Sequence, residues 1–172
     1  MVRDQPSDEF DVIGRQPVGF SDRFVLFLVL AESLAEACLA RYALEGQLLV
    51  RFSGAALEGL QLEHPWLAKY VPVILGDHVT LDAGTGAVHT APAHGQEAFA
   101  VGKSYGLPVV NPVGPDGRFA AETELVAGLK VDAAGPVIIA RLAERGRLVH
   151  QAPYPHSYPH CWRHRTPVIF RA

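Results

Sequence analysis

Fourteen consecutive residues hold most of the chemistry this sequence suggests: Gly84-Thr85-Gly86-Ala87-Val88-His89-Thr90-Ala91-Pro92-Ala93-His94-Gly95-Gln96-Glu97. Two glycines allow the backbone to approach a ligand closely, and a short strand at 87–91 would present alternate side chains on opposite faces. His89 on that strand and His94 before a helix could converge on a pocket near the helix N-terminus. Backbone N–H groups there favour an anionic or strongly accepting ligand. Histidine is the side chain best suited to hold a proton or orient water near neutral pH. The plainer reading is a glycine-rich hairpin with ordinary surface histidines. A phosphate-binding loop is excluded, because no Gly-Lys-Ser/Thr follows.

A second cluster is His156-Ser-Tyr-Pro-His160-Cys161-Trp162-Arg163-His164, with His150 upstream. Imidazoles and a thiol are zinc ligands by identity, and Cys161-x-x-His164 has workable spacing. Structural zinc sites, however, usually draw four ligands from two separated pairs, and Cys38 falls on a predicted helix far off in sequence. The alternative is a proline-braced strand with solvent-facing histidines. A third cluster sets Arg163, His164, Arg165 and Arg171 beside Trp162, Tyr154 and Tyr158. Arginines for phosphates and aromatics for stacking are the ingredients of a single-stranded RNA contact, and also of a solvated strand edge.

The elements that must position these residues are short. Residues 1–20 read as a loosely ordered lead-in with a short strand at 10–13. Residues 24–30 are apolar on both faces and predict a buried strand. Residues 32–44 space Leu34, Ala35, Cys38, Leu39 and Tyr42 as a helix stopped at Gly46. Strands are predicted at 47–52, 60–63 and 71–75, with a short helical turn after the first of these. Helices are predicted at 95–105 and 137–146, and 148 to the end reads as strand broken by prolines. A lead-in (1–20) and one α+β domain (21–172), with a strand-rich core and peripheral helices, is the resulting expectation.

Composition bounds the function. With 172 residues, 49% hydrophobic, the chain can bury a core but has no room for a nucleotide-activating domain beside another complete one. Sixteen Gly and thirteen Pro argue against a helix bundle. A net charge of −3 excludes a broad basic surface that grips nucleic acid by charge alone. Two cysteines suit a reducing cytoplasm, and the longest apolar run, 24–31, is too short to span a bilayer.

Two long stretches are familiar. GDHVTLDAGTGAVHTAPAHGQEAFAVGKSYGLPVVNPVGP, residues 76–115, closely resembles the editing domain of bacterial isoleucyl-tRNA synthetase, a class I aminoacyl-tRNA synthetase, and so does HSYPHCWRHRTPVIFRA at 156–172. The resemblance covers about residues 9–172. It implies a β-barrel-like core with peripheral helices, and hydrolysis of valine wrongly esterified to the isoleucine tRNA. One methylene gives a synthetic site only ~1–3 kcal/mol of discrimination, so a second pocket must admit valine and exclude isoleucine. By motif, His89 would contact the amino acid or terminal ribose as the catalytic residue. Thr90 and Ala91 would line the pocket, Gly84 and Gly86 would let the backbone approach, and His94 would have a lesser part. The implied partners are the mischarged tRNA 3′ end and the remainder of the synthetase; no metal, cofactor or membrane is implied.

Two departures from the family pattern imply impaired hydrolysis. The motif continues His-Gly-x-Glu-Asp, and the Asp expected to anchor the substrate's α-ammonium is Ala98 here. Glu97 is adjacent but lies about 100° round a helix. The family's strand reading Thr-Thr-Thr-Pro-Trp-Thr is also absent from a chain with only five threonines. A rival expectation follows: a non-catalytic module that binds a tRNA end or a protein and retains the editing fold. A third is a fragment stabilised by zinc.

Overall fold

The computed structural model describes residues 9–15, 26–153, 155 and 157–171. The chain divides into two compact units, Met1–His64 with Lys69–Thr90, and Pro65–Ala68 with Ala91–Ala172.

In the first unit, β1 (Glu9–Arg15), β2 (Leu26–Ala31) and β3 (Gln47–Ser53) form an antiparallel sheet in the order β2-β1-β3. Phe10 and Ile13 are three apart and so face opposite sides of β1, yet both are buried, at 0% and 5% exposure. The middle strand is therefore covered on both faces. On β3 the pairing passes from Val12–Val50 to Ile13–Leu48, which leaves Leu49 as the extra residue of a bulge. β2 is the strand expected at 24–30, but only Leu30 and Ala31 are buried, while Phe27 is 59% exposed. An edge strand covered only where the next helix packs explains the difference.

That helix is α1 (Glu32–Tyr42), which buries Leu34, Ala35 and Cys38 against Phe10, Leu30 and Ala31. It stops not at Gly46 but at Ala43, which is left-handed (φ +52°). The N–H groups of Ala43 and Leu44 bond back to the carbonyls of Ala40 and Leu39. Arg51 ties helix to sheet: its Nε donates to the buried Asp11 at 2.9 Å, and its guanidinium lies 2.7 Å from Glu32 and 3.4 Å from Glu9. A 3₁₀ turn (Gly54–Leu57) follows β3, and β4 (Gln61–Glu63) pairs with β5 (Tyr70–Pro72).

The second unit holds a 3₁₀ turn (Pro92–His94), α2 (Gln96–Ser104) and α3 (Val131–Glu144). α2 matches the helix expected at 95–105. α3 begins six residues earlier than expected, with Pro136 inside it. The proline's fixed φ is helical, but past the first turn the ring removes one i→i−4 hydrogen bond and crowds the carbonyl four residues back. Among the described residues, the strand expected from 148 on is reduced to one bridge, His160–Pro167, because prolines remove the donors a ladder needs. The described residues form a mixed α and β fold with two small sheets and no closed barrel. No helix among them is long and apolar enough to cross a membrane.

Candidate functional site

The segment before His89 is anchored from three sides within the first unit. Gly84 and Gly86 both take positive φ, +82° and +80°. The Cys38 thiol of α1 donates to the Gly84 carbonyl at 3.0 Å, and the Ala31 N–H donates to the Thr85 carbonyl at 2.9 Å. Gly86 is buried, and a Cβ there would overlap the Ala31 Cβ and lie 3.3 Å from Phe10 Cζ. The close approach that Gly86 permits is thus to the protein's own sheet, at the β2–α1 junction. Gly84, in contrast, faces open space. The Thr85 hydroxyl closes the turn on the Ala87 backbone, donating to its carbonyl at 3.0 Å.

Beside this anchor, burial raises the pKa of Tyr42 above its ordinary value of 10.0, helped by the Cys38 thiol and opposed by Arg41. The neutral phenol is favoured in the folded chain. Its contribution is therefore complete below the unfolded value and is lost as pH rises through the raised one. Urea midpoints should fall as the pH rises above the ordinary phenol value of 10.0, and less steeply in Tyr42→Phe.

The strand expected at 87–91 is only a single bridge position at Ala87; Val88 to Ala91 carry no strand. His89 is exposed. Thr90 differs: its hydroxyl oxygen is buried and has no hydrogen-bond partner among the described residues. Buried hydroxyls are normally paired, so this one departs from the usual pattern.

Ala91, His94 and Ala98 belong to the second unit. The His94 N–H donates to the Ala91 carbonyl at 2.9 Å, closing the 3₁₀ turn. The His94 ring donates from Nδ1 to the Phe170 carbonyl at 2.9 Å. Gly102 holds α2 against this turn, since a Cβ there would come within 2.6 Å of Pro92 Cγ. Gly95 precedes α2 with no side-chain cap, and Ala98 sits half-buried in the first turn while Glu97 is exposed. Gly84, Gly86, His89 and Thr90 thus share one unit, and Ala91, His94 and Ala98 the other. Sequence reasoning missed Cys38 and Phe170 as supports of this segment. Their partners are 46 and 76 residues away, and neither contact has a local signal.

The zinc candidate is partly assembled. Cys161 Sγ and His164 Nδ1 are 3.3 Å apart, but no three metal-binding side chains gather among the described residues. His160 Nδ1 instead bonds the Tyr158 carbonyl at 2.7 Å. His156 and Tyr154 lie outside the described residues.

Comparison with known proteins supplies the remaining finding. Residues 47–137 match the family described as leucyl-tRNA synthetase, editing domain. The chain is 57% identical over 165 residues to an isoleucine–tRNA ligase of Methylococcus capsulatus, covering 95% of this chain and 17% of that protein. It is 56% identical over 146 residues to the ligase of Shewanella oneidensis (84% and 16%). Against the ligase of Alkalilimnicola ehrlichii it is 54% identical over 156 residues (90% and 16%). The chain therefore spans about a sixth of the length of the curated relatives it matches.

Proposed function

The chain belongs to the leucyl-tRNA synthetase editing-domain family, and on that premise we propose that it is a post-transfer editing domain for valyl-tRNA(Ile), with hydrolysis held back by Ala98. The two small sheets are read as part of the barrel-like core that the family resemblance implies. The partners are the mischarged tRNA 3′ end and the rest of the synthetase, in the cytoplasm.

The reaction is hydrolysis of an ester. Water attacks the carbonyl carbon, the bond to the terminal ribose oxygen breaks, and that oxygen leaves as a hydroxyl, releasing valine and tRNA. Three needs follow: an oriented water or ribose hydroxyl, a pocket that rejects the larger side chain, and an anchor for the α-ammonium. His89 is assigned to the first, as a solvent-accessible imidazole in contact with the amino acid or terminal ribose. Thr90 and Ala91 are assigned to the pocket wall, His94 to its support, and Gly84 and Gly86 to the backbone that carries His89 in. For the third need, position 98 offers a methyl group where a carboxylate would serve. The observation that best supports the reading is the match of residues 47–137 to an editing-domain family, a span that contains His89, Thr90 and position 98.

Single-turnover deacylation of valyl-tRNA(Ile) tests it. His89→Ala and Thr90→Val are each expected to slow hydrolysis about tenfold or more, the loss of one hydrogen bond to a substrate. Thr90→Val should keep or raise the melting temperature, because it removes a hydroxyl that nothing satisfies. Unchanged rates in both variants would refute the assignment. The substitution at position 98 also favours a second reading, a non-catalytic module that binds charged and uncharged tRNA alike. Equal affinity for the two, with no turnover, would select it.

A further inference from the structure

The charge of the chain is unevenly placed. After Glu144 come five arginines and no Asp or Glu, so the net −3 divides into +5 there and −8 in the rest. Within this basic tail, the residues on either side of Trp162 fold back as a narrow ribbon. The Cys161 N–H donates to the Thr166 carbonyl (2.9 Å), the Arg165 N–H to the Cys161 carbonyl (2.7 Å), and the Val168 N–H to the Pro159 carbonyl (3.0 Å). The Tyr158 hydroxyl adds a bond to the Val168 carbonyl at 2.9 Å. The turn is tight enough to force Arg165 to a positive φ of +54°, an uncommon conformation outside glycine and one concentrated at functional turns.

What the turn displays is unusual. Trp162 is 82% exposed at its tip, and the Arg163 guanidinium lies 4.7 Å from the ring centroid. Arg165 and Arg171 are exposed as well. A large apolar ring held in water on a braced turn contributes nothing to the core. Its flat face, with guanidinium groups alongside, matches a ligand that offers a π face and a phosphate in each repeat.

We propose that the ribbon around Trp162 is a contact surface for single-stranded RNA, on which one base stacks on the Trp162 indole while Arg163 and Arg165 meet the adjoining phosphates. A protein segment carrying both acidic and apolar side chains would engage the same groups, and the test below separates it from RNA. The inference deepens the editing reading by naming where this chain meets its RNA, and it rests on that reading for the choice of RNA over DNA.

The test uses the full chain and a single-stranded RNA of about ten nucleotides that carries no amino acid, so it reads the ribbon whether or not any ester is hydrolysed. In a Trp66→Phe background the only indole is Trp162, and RNA is expected to quench its fluorescence. Trp162→Ala should weaken binding about tenfold, the loss of one stacked base. Arg163→Gln with Arg165→Gln should lower the slope of log affinity against log salt by about 1.4, two phosphates' worth for a single strand. Because these side chains are exposed, the variants keep the fold, checked by circular dichroism. Unquenched Trp162 fluorescence at saturating RNA, or equal affinity in Trp162→Ala, would overturn the proposal. So would poly-glutamate binding that matches RNA and is indifferent to Trp162, which would assign the surface to an acidic protein.

Discussion

Gly86→Ala is expected to lower the free energy of unfolding by about 2–5 kcal/mol, a large share of the usual total of about 5–15 kcal/mol. Two costs combine. Holding alanine in a left-handed conformation costs about 1–2 kcal/mol. Forcing a methyl group into a filled space adds about 1–3 kcal/mol. The space is filled by Ala31 and Phe10, which cannot yield cheaply: Phe10 is the most buried residue of the middle strand, and Ala31 joins β2 to α1. The Ala31 N–H bond to Thr85 would be strained by the same movement. Gly84→Ala is the internal control. Its φ is nearly identical, but nothing lies within 4 Å of the added Cβ, so only the conformational cost of about 1–2 kcal/mol applies. Urea midpoints of the two variants measure the difference. Equal losses would show that Gly86 is not the packing point between this loop and the sheet.

Much of this arrangement was readable from residue types, and the failures have identifiable causes. α2 lies where its period and its bounding glycines place it, and β3 within one residue at either end. β1 was legible only as a short strand in a loose lead-in. That it is the middle strand depends on partners at 26–31 and 47–53, and local pattern does not carry such pairing. β2 misled because an unbroken apolar run does not reveal whether the sheet is covered along its whole length. Pro136 and Ala43 reverse ordinary punctuation, one standing inside a helix and the other ending a helix without glycine. At the candidate site, residues 84–98 could be singled out by composition and by likeness. Nothing near them in sequence marks Cys38, Phe10 or Phe170, which hold the two halves of the motif in their respective units.

Ala98→Asp is the substitution expected to change function most. Editing requires that the substrate's α-ammonium be held, and a charge-assisted hydrogen bond is worth about 1.5–3 kcal/mol. Realised in the transition state, that is a gain of about 10–150-fold in kcat/KM. The position tolerates the change. Ala98 lies in the first turn of a helix that has no side-chain cap, where a negative charge is stabilised by about 0.3–1 kcal/mol. The fold should therefore be unaffected or slightly firmer, so a change in rate reports on substrate binding. Glu97 does not already fill this role, because it is exposed and points about 100° away from its neighbour. Ala98→Asn separates charge from shape: it supplies an acceptor without the charge and should recover only part of the gain.

We propose an editing domain limited by the side chain at position 98. Its most direct test is the single-turnover rate of valyl-tRNA(Ile) hydrolysis by the chain and by Ala98→Asp, with isoleucyl-tRNA(Ile) as the substrate to be spared. Slow hydrolysis by the chain itself, a rate at least about tenfold higher in Ala98→Asp, and little loss of the isoleucyl ester in either are expected. Hydrolysis by the unaltered chain as fast as by Ala98→Asp, or no gain on adding the carboxylate, would contradict it.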